Sequence, residues 1–198
     1  MTYSLEKFRR LAYDTLKYER FQHTIGVEVF AHELAKRFGL DTEAASLAAL
    51  THDLAKEYPL DEQIEKAKKW GLIYYPEDIE NPGVIHGRLA AYILEKEHNI
   101  EDKDILNAVA NHTLGRPGMS DLEMLIYSAD LTEPGRDFPG VDNLRQKLYH
   151  DLRDGTLACI EHILNHLRES NKPIHPLTLL TYEDLKKANN ANNIKESY

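Results

Sequence analysis

DTEAASLAALTHD, residues 41–53, opens on Asp41 with Thr42 and Glu43 behind it and closes on the adjacent pair His52 and Asp53. The opening is helix N-capping chemistry: a short oxygen-bearing side chain accepts the unpaired amides of a first turn, and acidic residues favour the positive end of the helix. The helix runs through AASLAALTHD and ends near Asp53. A charged pair closing an otherwise apolar helix needs solvent or a partner for its carboxylate, because an unpaired buried carboxylate is costly. LIYSAD, residues 125–130, repeats the pattern with Asp130.

Outward from this segment the chain is punctuated helix after helix. Leu5, Phe8, Leu11, Ala12 and Leu16 mark a first, and Ile25, Val29, Ala31, Leu34, Ala35 and Phe38 a second that stops at Gly39 as at a C-terminal cap. Another follows Pro59, capped by Asp61, and stops at Trp70-Gly71. Residues 72–84, with Tyr74, Tyr75, Pro76, Pro82 and Gly83, have the composition of an ordered loop, a lid or rim, and are poor for helix. Helices resume over about 85–98, 102–112, 120–130, 141–152 and 155–170, and a last one follows Pro173–Pro176. Apolar residues recur at three- and four-residue steps and few runs alternate, so the expected fold is all-α. We expect a single domain over residues 1–187 with a polar, frayed tail at 188–198.

The 198 residues are 42% hydrophobic and 29% charged, enough to bury one core, which excludes a disordered regulator or a fibrous repeat. The net charge of −9 argues against nucleic acid or an anionic membrane as partner, so phosphate chemistry here must bring its own positive charge. The single cysteine, Cys159, excludes a disulfide framework and a paired-cysteine metal site, and reads as an inert buried thiol. No export signal or membrane-spanning run is legible, and the expected location is cytoplasmic.

Of the ten histidines, His23, His52, His86 and His112 lie at or near helix boundaries, as do Asp53 and Asp130. Facing helices collect side chains around one cavity, so donors tens of residues apart can converge in a bundle core. Four imidazoles and two carboxylates suit two first-row divalent ions, with a carboxylate as bridge, and the chemistry is metal-assisted hydrolysis. His32, His98, His150, His162, His166 and His175 match no ligand segment; His162 and His166 stand four apart on one face without a third donor and read as structural or exposed.

The order His23, His52-Asp53, Asp130 resembles the HD superfamily of metal-dependent phosphohydrolases, a helical bundle with the ligand pattern H…HD…D. More narrowly, RFQHTIGV, AALTHDLAK, VIHGRLAA, NHTLGRPGMS and YSADLTEPGR, in order between Arg20 and Arg136, resemble the YqeK family. That family contains symmetrical dinucleoside tetraphosphatases, which hydrolyse diadenosine tetraphosphate to two ADP. The resemblance implies that His23, His52, Asp53 and Asp130 bind one metal and that Asp53, His86 and His112 bind the second, with Asp53 bridging. It implies iron, with manganese or cobalt as substitutes, and a homodimer; ligand type alone does not separate these metals from zinc.

On this reading a hydroxide bridging two ions roughly 3.5–4 Å apart attacks a phosphorus of the tetraphosphate chain. The leaving ADP needs a cation on the opposite side. Lys56, one turn beyond His52, and Arg136 are the candidates for catalysis and substrate contact; Arg116 is a third. Thr113 and Gly115 offer a hydroxyl and a backbone amide to the phosphates, and Arg20 is a further candidate for substrate contact that either pairs with acidic residues near the site or lies on the surface. Trp70, Tyr74 and Tyr75 read as packing their loop down ahead of stacking on a base. Two alternatives share the pocket: hydrolysis of another nucleotide, such as a nucleoside monophosphate or a deoxynucleoside triphosphate, and a non-catalytic nucleotide sensor. Cleavage of cyclic diguanylate fits least, because the GYP signature of that HD family is absent.

Overall fold

A computed structural model describes residues 3–195, with side chains through 189. It holds α1 (Leu5–Thr15), α2 (Tyr18–Phe38), α3 (Thr42–Thr51), α4 (Leu60–Trp70), α5 (Glu77–Glu80), a 3₁₀ turn (Pro82–Val84), α6 (His86–Glu97), α7 (Lys103–Asn111), α8 (Asp121–Thr132), α9 (Val141–His150), α10 (Leu152–Glu169) and α11 (Pro176–Lys195). No strand occurs among the described residues, as the apolar spacing predicts.

Helices α3 and α8 are the inner pair. Every residue from Ala44 to Thr51 is buried, as is every residue from Leu122 to Ala129. A helix apolar on all sides can only sit inside, and α2, α7 and α10 pack around these two. Leu34, Leu47, Leu50, Leu89, Leu94, Leu125 and Ile126 are fully enclosed, each contributing about 1.5–3 kcal/mol of burial. The inner helices carry chemistry at their C-terminal ends: His52 and Asp53 come just after α3, and Asp130 lies in the last turn of α8.

Local chemistry sets the ends. Asp41 accepts the amides of Glu43 and Ala44, Asp102 those of Asp104 and Ile105, and Ser120 and Glu123 form a reciprocal capping box. Gly39 and Gly71 close α2 and α4 in left-handed conformation, φ 68° and 69°. Asp61 is not a cap: α4 begins at Leu60 after Pro59, so Asp61 lies inside the first turn, where its charge meets the helix dipole. Residues 72–84, expected as an ordered loop poor for helix, carry the short α5 and the 3₁₀ turn. Helix α11 extends to Lys195, through most of the segment expected to fray; residues 196–198 lie outside the described part. No helix is long and apolar enough to cross a membrane.

Candidate metal centre

Six side chains from five elements meet at one end of the inner pair. His23 Nε2 lies 2.9 Å from Asp130 Oδ1, and His52 Nε2 lies 3.8 Å from the same oxygen. Asp53 faces both ways, with Oδ2 3.4 Å from His52 Nε2 and Oδ1 3.0 Å from His86 Nε2 and 3.8 Å from His112 Nε2. His86 Nε2 and His112 Nε2 are 3.0 Å apart. All six residues expected to converge do so, across as many as 107 positions of sequence from His23 to Asp130.

The imidazole tautomers are set by the backbone. His52, His86 and His112 each place Nδ1 on the carbonyl three residues earlier, Ala49 at 2.6 Å, Gly83 at 2.8 Å and Val109 at 2.8 Å. A carbonyl only accepts, so each Nδ1 carries the hydrogen and each Nε2 presents a lone pair to the centre. His52 and His112 stand directly after α3 and α7, where unpaired last-turn carbonyls are free to accept and the helix ends are electronegative toward a cation. His23 Nδ1 meets Glu133 Oε1 at 3.2 Å, which turns its Nε2 to Asp130.

This donor set fits a metal ion. Two Nε2 lone pairs facing each other at 3.0 Å repel unless something electropositive lies between them, and the buried His52 Nε2 has no hydrogen-bond partner. Backbone or carboxylate partners behind each imidazole are the outer-sphere arrangement of metal-ligating histidine. Burial opposes ionisation of Asp53, but the His52 and His86 imidazoles outweigh it and hold its carboxyl well below the usual range. Burial, with His52 and His86 adding to it, pushes His112 down to about 3, so it stays neutral and ready to donate.

Helices α6 and α7 approach closely enough for His86 and His112 to meet because Gly87 has no side chain. A Cβ there would lie 2.8 Å from the Val109 carbonyl oxygen and 3.0 Å from His112 Nδ1. Gly87→Ala is expected to push the two helices apart and cost about 1–3 kcal/mol. For a chain of this size that is roughly 2–12 °C in Tm, and a calorimetric scan would measure it.

The cationic residues divide. Arg20 Nη1 lies 3.1 Å from Asp53 Oδ2, which favours the acid-paired reading of it over a plain surface one. Arg136 is about a third exposed and reaches Asp130 Oδ1 at 3.3 Å, and Lys56 Nζ lies 3.5 Å from His86 Nδ1. Arg20, His23 and Arg136 line an open cleft of about 270 Å³ together with Lys17, Glu19 and Glu57. Thr113 Oγ1 is 3.2 Å from His112 Nε2. Arg116 does not join them: its guanidinium makes a two-pronged pair with buried Glu123 at 2.7 and 2.6 Å. Nor does Gly115, whose amide donates to the Asn111 carbonyl at 2.8 Å and whose left-handed turn packs against Thr181.

Sequence reasoning missed Glu133, which holds His23 from behind, as well as Lys17 and Glu57 at the mouth. The signal for Glu133 was its place in YSADLTEPGR; Gly26 and Gly135 both close directly onto its carboxylate. Two of the three aromatics pack as expected, Trp70 stacked on Tyr92 at 4.4 Å and Tyr75 edge-on to His175 at 5.1 Å, whereas Tyr74 is 62% exposed with the Arg88 guanidinium 4.7 Å from its ring. His162 stacks on Phe138, a structural role. Burial raises the Cys159 thiol to about 12, which leaves it inert.

An all-α bundle whose inner helices end in His-Asp and Asp, ringed by three further imidazoles, defines an HD-type hydrolase. The family model described as the HD domain matches residues 20–189. The symmetrical bis(5'-nucleosyl)-tetraphosphatase of Bacillus subtilis is 41% identical over 82% of this chain and 87% of its own length. That of Halalkalibacterium halodurans is 39% identical over 84% and 88%. A crystal structure from Clostridium acetobutylicum, described as a predicted HD superfamily hydrolase involved in NAD metabolism, superposes with a TM-score of 0.89 at 35% identity, covering 95% of this chain and all of that one. The chain belongs to the YqeK family of HD-domain proteins.

Proposed function

We propose that this chain is a symmetrical dinucleoside tetraphosphatase, cleaving diadenosine tetraphosphate to two ADP. The reading is carried by the likeness to curated enzymes of that activity over more than four-fifths of the chain. The convergence of six metal-type donors supports it.

His23, His52, Asp53 and Asp130 would hold one divalent ion and Asp53, His86 and His112 a second. Iron is the metal we favour, with manganese or cobalt able to replace it. Ions held there supply Lewis-acid charge for phosphate oxygens and lower the pKa of water toward neutrality. The chain's own residues do the rest. Burial of His52, His86 and His112 keeps bulk water from competing for the donors. Arg20 and Arg136 line the cleft beside the donors, where their N–H groups would match the oxygens of an incoming polyphosphate. Lys56 adds a point charge on the His86 side, and the Thr113 hydroxyl a neutral donor.

Arg136→Ala is expected to lower kcat/KM. A charge-assisted hydrogen bond is worth about 1.5–3 kcal/mol, or roughly 10–150-fold. Arg116→Ala should alter kcat/KM less than threefold and show its effect in Tm, because its partner is Glu123. Steady-state kinetics on both variants tests the division.

The function itself is tested by chromatographic product analysis of the metal-free protein with diadenosine tetraphosphate, adding iron(II), manganese, cobalt or zinc in turn. ADP as sole product is the expected result. AMP with ATP would overturn the symmetrical point of attack, and no turnover with any metal would overturn the substrate.

A further inference from the structure

We propose that Asp78 is a positioning residue for the His86 half of the metal centre. The proposal rests on the two-ion reading above and adds to it a residue outside every motif that carries the site.

Asp78 lies in α5, fully buried, and gathers four donors from three parts of the chain. Its Oδ2 accepts the amides of Tyr74 and Tyr75 at 2.8 and 3.0 Å and Arg88 Nη1 at 2.7 Å. Its Oδ1 faces His175 Nε2 at 3.2 Å. The Leu177 amide donates to His175 Nδ1 at 3.1 Å, so the hydrogen of that ring is on Nε2 and points at Asp78. Arg88 Nη1 also donates to the Leu72 carbonyl at 3.2 Å. One carboxylate thus ties residues 72–78 to α6 two positions beyond His86 and to the start of α11.

The same segment ends in the 3₁₀ turn, whose Gly83 carbonyl accepts His86 Nδ1–H. His52 and His112 take their carbonyls from within α3 and α7, which need no loop to hold them. His86 alone among these three depends on an acceptor that lies before its helix begins. Loss of the Asp78 anchor therefore reaches the metal centre through the ring orientation of His86, and through no other imidazole of the set.

The test is manganese uptake by the metal-free full-length chain in competition with a chelator, free manganese being read by electron paramagnetic resonance. The wild type is expected to take up two ions. In Asp78→Asn one dissociation constant should rise about 10–100-fold, the usual effect of an outer-sphere partner, while the other stays within threefold. In a His86→Ala background Asp78→Asn should leave the remaining affinity within threefold, a result that general loosening of the fold would not produce. Parallel weakening of both ions, no shift in either, or a persisting effect in the His86→Ala background overturns the proposal. Should Asp78→Asn fail to fold, His175→Gln removes one of the four donors and should weaken the same ion, and two unchanged affinities there overturn it equally. Fewer than two ions on the wild type overturns the two-ion reading and this proposal with it, whereas two ions weakened without selectivity overturn this proposal alone.

Discussion

Asp53→Ala should abolish turnover and weaken uptake of both metal ions at once. Asp53 is 2% exposed and is the one carboxylate that faces both halves of the centre, His52 on one oxygen and His86 with His112 on the other. Without it three buried imidazoles keep only Asp130, 3.8 Å from His52, as a counter-charge, and Arg20 loses its acceptor. The loss of ADP formation should exceed the roughly 100-fold upper end seen for outer-sphere partners, because the group removed is itself a donor to both ions. Asp53→Asn keeps the shape and should match the loss of activity with a smaller fall in Tm. Product chromatography and manganese titration on the two variants check this, and an Asp53→Ala protein within tenfold of wild-type activity would refute the bridging position.

Removal of metal should have the second largest effect, on activity and stability together. An ion that binds only the folded chain adds about 2.7 kcal/mol when present at a hundred times its dissociation constant. At about 2–4 °C per kcal/mol for a chain of this length, each ion is worth roughly 5–11 °C in Tm, and chelation should remove that increment along with turnover. The increment should depend on pH. Burial lowers the affinity of His52 for a proton, but Asp53 beside it outweighs burial and the net shift is upward. In the metal-free protein the protonated ring therefore stabilises the fold fully below the ordinary imidazole value near 6.5, and this contribution fades as pH rises through the raised one. Metal must displace that proton, so the gap in Tm between loaded and chelated protein should narrow as the solution is acidified through the His52 titration. Paired thermal scans from pH 8 to pH 5 measure it, and a gap that widens on acidification would contradict the assignment of His52 as a ligand.

Arg116 and Gly115 stand four and three positions from His112, and nearness in sequence made them candidates for the phosphates. The left-handed turn at Gly115 carries the chain out of the site toward Thr181, and Arg116 finds Glu123 on α8 instead. Glu133 was overlooked for the opposite reason: it sits beside a breaker, where an acid is ordinarily solvated, and is 5% exposed only because Gly26 and Gly135 admit it. Asp78 was overlooked because a segment rich in Pro, Gly and Tyr reads as a surface loop. Its burial depends on Arg88 and His175, 10 and 97 positions away.

The helical order, the cap at Asp41 and the residue types of the donor set were legible along the chain. Such features are decided within a turn or two, by side-chain oxygens meeting nearby amides and by apolar spacing. Other features came only with the assembled fold: which nitrogen of each histidine faces the centre, the pairing of Arg20 with Asp53 and of Arg116 with Glu123, and the buried aspartate that anchors the turn behind His86. The contacts of Arg20 with Asp53, His23 with Glu133 and Asp78 with His175 join groups 33, 110 and 97 positions apart and form only once burial of α3 and α8 has brought the surrounding helices together. Those of His52, His86 and His112 with the carbonyls behind them and of Arg116 with Glu123 span only three and seven positions, but which local partner each side chain takes is set by the packing around it.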